Sequence, residues 1–415
     1  MAGDDRGSAA PKSNQNAKNP SDDVRKHAME KSFPSARPGK LPDVGTTIFT
    51  VMSALATEAG AINLSQGFPD FPPPAGLLDR VVHHLYAGHN QYAPMAGLPA
   101  LREAIARKTA LLYGHEPDPD TEVTVTSGAT EALYCAIEAL VGPGDEAICL
   151  DPAYDSYDPA IRLAGARPVH VPLAAPAFAI DWQRLRAAIT PRTRLLILNT
   201  PHNPTGSVLA PTDLAALAQL VAGTDIALLG DEVYEHMLYD GRRHESLLRY
   251  PELAARSLVV SSFGKTYHAT GWKVGYCVGP RELMAGFRRV HQFVQFCVAT
   301  PLQWALADYL GEDPAHYLGL GDFYATRRDQ FCARLATSRF RCTPSAGTYF
   351  QLADYSAITD EPDVAFARRL TTEYKVAAIP VSVFCAADPP RHWLRFCFAK
   401  DPATLDRAAD ILCAI

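Results

Sequence analysis

From about Leu41 onward, apolar positions follow two spacings that take turns along the chain. Ile48–Ala59 and residues 98–113 carry apolar side chains three and four apart, the period of an amphipathic helix. The same spacing predicts a helix from Gly128 to about Val141, stopped by Gly142-Pro-Gly-Asp145, and another over residues 211–222. Between them lie short runs rich in Val, Ile and Leu: residues 61–65, 122–127, 146–150, 194–199, 226–230, 257–261 and 273–278. Most of these are near-continuous rather than alternating, which is how strands covered on both faces read. Strands interleaved with helices predict an open, mostly parallel sheet between helical layers. From about Pro301 the chain turns helix-rich, with strands expected near residues 349–352 and 393–398 and a closing helix. That part reads as a smaller domain. Residues 376–387, interrupted by Pro380, read as a buried strand and turn.

Composition narrows the function classes. With 47% hydrophobic and 20% charged residues, the chain has the balance of a soluble globular protein. A formal net charge of -6 gives no electrostatic reason to expect nucleic acid or an anionic membrane as partner. No apolar run approaches the roughly 20 residues needed to span a bilayer. The nine cysteines include no C-x-x-C pair, which argues against a disulfide framework or a zinc site and suits a reducing cytoplasm. Residues 1–40 have hardly any large apolar side chain and cannot offset their ordering entropy by burial. They are expected to be a disordered extension. They also lack the apolar core of a secretory signal, and their acidic residues do not suit a mitochondrial presequence.

In open α/β sheets the ligand lies beyond the carboxyl ends of the strands. The polar residues that follow the apolar runs are Ser127-Gly-Ala-Thr130, Asp151-Pro-Ala-Tyr154, Asn199 to Gly206, Asp231-Glu-Val-Tyr234 and Ser262-Phe-Gly-Lys265. Together they offer one acid, two phenols, an amide, a helix start suited to an anion, and one lysine. A cationic heteroaromatic phosphate would need that set. Gly264-Lys265-Thr266 also matches the end of a P-loop, but Val259 stands where that motif needs its first glycine, and Asp231-Glu232 precedes the lysine rather than following it.

Six motifs in this order resemble the class I aminotransferases: Gly67-Phe-Pro-Asp-Phe-Pro-Pro-Pro74, Asn90-Gln-Tyr92, Asn203-Pro-Thr-Gly206, Asp231-Glu-Val-Tyr234, Ser262-Phe-Gly-Lys265 with Gly271-Trp-Lys-Val-Gly-Tyr276, and Arg395-Phe-Cys-Phe-Ala-Lys400. The likeness covers nearly everything after Leu41 and is greatest to the methionine aminotransferase branch, beside the kynurenine aminotransferases. It implies an α/β chain of pyridoxal 5′-phosphate (PLP) fold type I: a large domain with a mostly parallel seven-stranded sheet between helices, plus a smaller α+β domain. The corresponding bounds are 41–75 for a segment joining the small domain, 76–305 for the large PLP-binding domain and 306–415 for the small domain.

By the same resemblance Lys265 carries the cofactor as a Schiff base and moves the substrate proton. Asp231 holds the ring nitrogen protonated, Asn203 and Tyr234 bond the phenolic oxygen, and Tyr154 stacks on the ring. Gly128, Ala129 and Thr130, at a helix start, receive the phosphate with Ser262 and Lys273. Relatives often have arginine at the last position; lysine keeps the charge and loses the bidentate fork. Tyr92 matches a residue lent to the neighbour's phosphate, which implies a homodimer with shared active sites. Arg395 clamps the substrate α-carboxylate with two parallel bonds, and backbone near Gly67 closes over it. X-Pro bonds near the cofactor are often cis in the family, which makes Asp151–Pro152 and Asn203–Pro204 candidates.

Phe296 and Phe350 match positions lining the side-chain pocket, and no second arginine is placed to receive a side-chain carboxylate. The reaction implied is a two-stage exchange of an amino group between a large apolar or sulfur-bearing L-amino acid and a 2-oxo acid, methionine first, then phenylalanine, tyrosine or kynurenine. Thr130, where some kynurenine enzymes have an aromatic residue, counts against kynurenine. Alternatives are a cysteine S-conjugate β-lyase and a non-enzymatic PLP-binding regulator. No metal is implied.

Overall fold

The computed structural model describes residues 39–387 and 389–415. The expectation of a disordered extension over 1–40 falls outside the described residues except at Gly39 and Lys40. Asp43–Ile415 forms one compact unit. Its strands are β1 (Ile62–Asn63), β2 (Val123–Thr126), β3 (Glu146–Asp151), β4 (Arg167–Pro172), β5 (Thr193–Asn199), β6 (Ala227–Asp231), β7 (Ser257–Ser262), β8 (Gly275–Val278), β9 (Phe350–Asp354), β10 (Val376–Ala377), β11 (Ile379–Pro380) and β12 (Trp393–Cys397).

Seven of them form the main sheet, in the order β2-β8-β7-β6-β5-β3-β4. Only β8 runs antiparallel to its neighbours, β2 and β7. The near-continuous apolar runs have a direct cause. Along β5, Leu196 and Leu198 face one core and Leu195 and Ile197 the other; β6 divides Leu228 and Leu229 in the same way. Both faces are therefore covered, and no position is left for a polar alternation. The helix after β2 spans Gly128–Leu140 and packs against the helix Arg281–Val294 on one of these faces.

A second, antiparallel sheet has the order β11-β12-β9. It sets Arg395 of β12 opposite Leu352 of β9, two residues from Phe350. The strand expected over 61–65 shortens to β1, which pairs in parallel with β10 and so ties the N-terminal segment to the C-terminal part. No helix among the described residues is long and apolar enough to cross a membrane.

Three elements depart from the sequence reading. The run expected over 273–278 becomes strand only at Gly275, because Lys273 takes a left-handed φ of 53°. Edge strand β4 (Arg-Pro-Val-His-Val-Pro) has the polar, proline-bearing composition of a guarded edge rather than of an apolar run. Helix Ala75–Tyr86 buries Leu77 but leaves Leu78, Val82, Leu85 and Tyr86 exposed, so only part of its apolar pattern reports burial within this chain. Asp151–Pro152 and Asn203–Pro204 are both cis, as are Ala175–Pro176 and Thr200–Pro201.

Candidate active site

The carboxyl ends of β2, β3, β5, β6 and β7 open onto one cavity of about 300 Å³. Its walls include Gly67, Gly128, Ala129, Thr130, Tyr154, Asn203, Asp231, Tyr234, Ser262, Lys265, Lys273, Phe350 and Arg395. Thirteen of the fifteen site residues expected from the sequence thus surround a single space.

Lys265 stands just after β7, where a four-residue helical turn, Phe263–Thr266, directs its amine into the cavity. The amine donates to the Tyr349 hydroxyl at 2.9 Å and to the Gly67 carbonyl at 3.2 Å. Among the described residues no carboxylate bonds it. Burial, with the nearby Arg395 and Lys273 charges, brings its pKa down to about 8, against the smaller opposing pull of Cys397 and Asp231.

Asp231 ends β6 and is 4% exposed. One carboxylate oxygen, Oδ2, accepts from the Tyr157 hydroxyl at 2.5 Å. The other, Oδ1, is buried without a partner among the described residues. Burial pushes this carboxyl up to about 6, although the Tyr157 bond pulls the other way. Leaving a buried carboxylate oxygen unpaired is costly, so Oδ1 calls for a donor inside the cavity.

The phosphate end is built from main chain and cations. Gly128 begins its helix at a φ of 74°, and a Cβ there would lie 3.2 Å from the Lys273 amine. Glycine keeps that space open. The first N–H groups of the helix, at Gly128 to Thr130, have no intrahelical acceptor and face the cavity with Ser262 and Lys273. Behind them Glu131 accepts from the Ser127 N–H at 3.0 Å, from Cys135 at 2.8 Å and from His291 at 2.8 Å. Glu131, Cys135 and His291 are the one group among the described residues whose ligand atoms are close enough to hold a metal ion. Burial and Glu131 push the Cys135 thiol far up, which keeps it a hydrogen-bond donor rather than a thiolate ligand.

At the opposite end Arg395 is fully buried. It donates to the Asn203 side-chain oxygen at 2.8 Å and to the Ser65 carbonyl at 2.9 Å, and its guanidinium carbon lies 3.9 Å from the centre of the Phe350 ring. Its Nε is buried without a partner among the described residues. Because Asn203 must turn its carbonyl oxygen to the guanidinium, its amide nitrogen is the atom left for a cavity ligand. Asn199 anchors the same loop, donating to the Asp231 carbonyl and accepting from the Asn203 N–H, both at 2.7 Å. Tyr234, 3% exposed, packs edge-on against Tyr349 and Phe350. Tyr154 meets Tyr157 edge-on at 5.6 Å.

Tyr92 and Phe296 do not join this cavity. They are 84% and 48% exposed and pack edge-on against each other at 5.5 Å. Sequence reasoning placed Asn199 among the strand-end polar residues without giving it a role, and it missed Tyr349, Tyr157, Phe49 and Gln66. The last two enter the cavity from the N-terminal segment, where the Gln66 amide is fastened to the Phe49 carbonyl at 3.2 Å. None of the four missed residues had a local signal, since each is defined by what the fold sets beside it.

The donor set fits PLP. Buried Asp231 Oδ1 matches a protonated ring nitrogen, the free Asn203 amide and Tyr234 a phenolate, the helix start with Ser262 and Lys273 a phosphate, and Lys265 an aldehyde.

Comparison with known proteins agrees with this geometry. The family model "Aminotransferase class I and II" matches residues 59–412. The methionine aminotransferase of Escherichia coli K12 is 56% identical over 373 residues, covering 90% of this chain and 97% of that one. A crystal structure from Escherichia coli, described as identifying a methionine aminotransferase function, superposes with a TM-score of 0.90 at 55% identity, covering 92% of this chain and all of that one. Rat kynurenine–oxoglutarate transaminase 1 is 36% identical over 401 residues, covering 88% and 95% of the two chains.

Proposed function

The chain belongs to the class I and II aminotransferases, PLP-dependent transaminases of fold type I, and from that premise we propose that it moves the amino group of a large apolar or sulfur-bearing L-amino acid, methionine first, to a 2-oxo acid. One observation carries the substrate class. Among the cavity-lining residues the cations are Lys265, Lys273 and Arg395. Two serve the cofactor, one is left for the α-carboxylate, and none remains for a carboxylate on the side chain. Phe49 and Phe350 give that region an apolar wall.

When bound, the cofactor supplies an aldehyde for the amine and a ring that accepts the electrons released at Cα. The chain's own groups do the rest. Lys265 carries the cofactor; its amine, brought near neutrality by burial, takes and returns the Cα proton. Asp231 Oδ1 holds the ring-nitrogen proton. Asn203 and Tyr234 donate to the phenolic oxygen, and Tyr154 covers one ring face. Gly128, Ala129, Thr130, Ser262 and Lys273 bind the phosphate. Arg395 orients the substrate through its α-carboxylate, with Gly67 and Phe350 closing over it. We assign the large domain to 76–305, the small domain to 306–415 and the joining segment to 41–75.

The active form we propose is a homodimer in which Tyr92 reaches the phosphate of the second copy and Phe296 its substrate pocket. The exposure of both aromatic rings supports this. Nine free cysteines favour a reducing, cytoplasmic setting.

The test is a panel of L-amino acids supplied to the PLP-loaded enzyme with a common 2-oxo acid. Methionine should lead in kcat/KM, with phenylalanine and tyrosine following and aspartate and glutamate at least about 100-fold behind, the discrimination expected when a carboxylate meets an apolar wall. Aspartate or glutamate in first place would overturn the reading. The rat relative supports a second reading, kynurenine transamination, and the same panel ranks it. A cysteine S-conjugate yielding pyruvate faster than any transamination would instead indicate β-elimination.

A further inference from the structure

Tyr157 precedes no recognisable motif, yet it makes the only side-chain hydrogen bond to the cavity's acid among the described residues. It is 3% exposed and opens the short helix Tyr157–Leu163, three residues beyond Tyr154. Its N–H bonds the Tyr154 carbonyl at 3.1 Å, its ring meets the Tyr154 ring, and its hydroxyl reaches Asp231 Oδ2 at 2.5 Å. One turn of chain thus links a cavity wall to the carboxylate at the cavity floor.

We propose that Tyr157 is the positioning residue of the site: by occupying Oδ2 it fixes the Asp231 carboxylate so that Oδ1 is presented to the ring nitrogen, and it keeps that carboxylate ionised. The inference rests on the reading of Asp231 given above. Among the described residues Asp231 Oδ2 is the one hydrogen-bond partner of the Tyr157 hydroxyl, and a phenol can serve a carboxylate oxygen only by donating. Burial, reinforced by the Asp231 charge, raises the Tyr157 hydroxyl well above its ordinary value, so it remains a donor throughout the working pH range. A donor to the charged form favours ionisation, opposing the burial that pushes Asp231 toward the neutral acid.

The other ionisable groups facing the pair are few. They are Tyr154 from the same loop, Cys149 from β3, Lys265 from beyond β7, and Glu232 next to Asp231. Glu232 is itself bonded by His244 at 2.7 Å and by the Leu247 N–H at 3.0 Å. Of these groups only Tyr157 hydrogen-bonds the Asp231 carboxylate.

The test titrates the full-length apoprotein with pyridoxamine 5′-phosphate, which has the ring, phosphate and phenol but no aldehyde to react with Lys265. Affinity is measured from pH 5 to 9 for the parent, Asp231→Asn and Tyr157→Phe; the ligand's own ionisations are common to all three. In the parent, the component that Asp231→Asn removes should fade as pH falls through about 6. In Tyr157→Phe that midpoint should move up by about one pH unit, the size expected for losing one hydrogen bond to a charged group. A Tyr157→Phe midpoint equal to the parent's overturns the inference and leaves the Asp231 assignment standing. Unchanged affinity in Asp231→Asn at pH 8 overturns the Asp231 assignment itself. Thermal unfolding reports whether each variant folds. If Tyr157→Phe does not, Tyr157→Leu, which also lacks a donor, is read by the same criterion.

Discussion

A single pentapeptide, Asp231-Glu-Val-Tyr-Glu235, supplies the acid for two very different buried sites. At its far end Glu235 accepts from Lys108 at 2.8 Å, from Ser261 at 2.7 Å, from Tyr276 at 3.0 Å and from Tyr113. Lys108 in turn donates to Tyr276 at 2.7 Å. The hub is closed: burial alone would push Glu235 up, but Lys108 and the surrounding donors outweigh it and hold the carboxyl below its ordinary range. At the near end Asp231 accepts one side-chain hydrogen bond, from Tyr157, and among the described residues its Oδ1 has no partner and no carboxylate bonds the Lys265 amine that faces it. There burial prevails, and acid and amine both shift toward neutrality. Burial is shared by the two sites, whereas satisfaction of the polar groups is not. A fully bonded buried pair stabilises the fold; a buried set with a missing partner is poised to bind and react.

The strongest way to sharpen this contrast is Lys265→Ala. It should lower transamination at least about 10⁴-fold, because no other amine lies in position to carry the cofactor or the proton. Its midpoint of thermal unfolding should stay close to the parent's. Lys108→Met should do the reverse, stranding Glu235 and costing about 3 to 5 kcal/mol in denaturant titrations. Equal losses of stability in the two variants would break the comparison.

Next in size is a pH effect of opposite sign at the two ends. Asp231 has a folded value near 6 against a reference of 3.8. The folded apoprotein therefore holds the proton more tightly, and stability falls as pH rises from about 4 to about 6. Asp231→Asn should recover roughly 2 to 3 kcal/mol of apoprotein stability at pH 7 and remove that slope. Glu235 is depressed, so its contribution is present above its unfolded value and is lost as pH falls through its folded one. Urea titrations of the apoprotein at several pH values read both. The smallest effect expected is that of Arg395→Lys, which keeps the charge and loses the fork; KM for methionine should rise about 10- to 100-fold with little change in unfolding. A change in kcat alone would mean that Arg395 does not hold the carboxylate in the ground state.

Much of this architecture was legible along the chain. The runs that became β3, β5, β6 and β7 were recognisable because both faces of each strand are apolar, and the residues immediately after them line the cavity. Lys273 was assigned a place beside the phosphate although the strand expected there begins two residues later; its left-handed backbone sets it beside Gly128. Phe296 was expected in the substrate pocket and lies on the surface of this chain, packed edge-on against Tyr92. Edge strand β4 and the helix Ala75–Tyr86 escaped notice because each buries only part of its apolar set: β4 carries two prolines and an exposed Arg167, and the helix buries Leu77 while leaving Leu78, Val82, Leu85 and Tyr86 exposed.

Periodicity, turn residues and strand-end polarity act over a few residues, so sequence alone indicated the order of elements and the sheet's two covered faces, while the motifs shared with a known family singled out Lys265 and Asp231 as the proposed reactive pair. Closure of the chain decided everything that joins distant segments. Tyr349 meets the lysine amine across 84 residues, Gly67 meets it across 198, and Ser65 anchors Arg395 across 330. Which donor a buried group finds, and which atom it leaves bare, depends on these long-range contacts. The missing partner at Asp231 Oδ1, on which the proposed cofactor binding rests, is therefore a property of the packed structure.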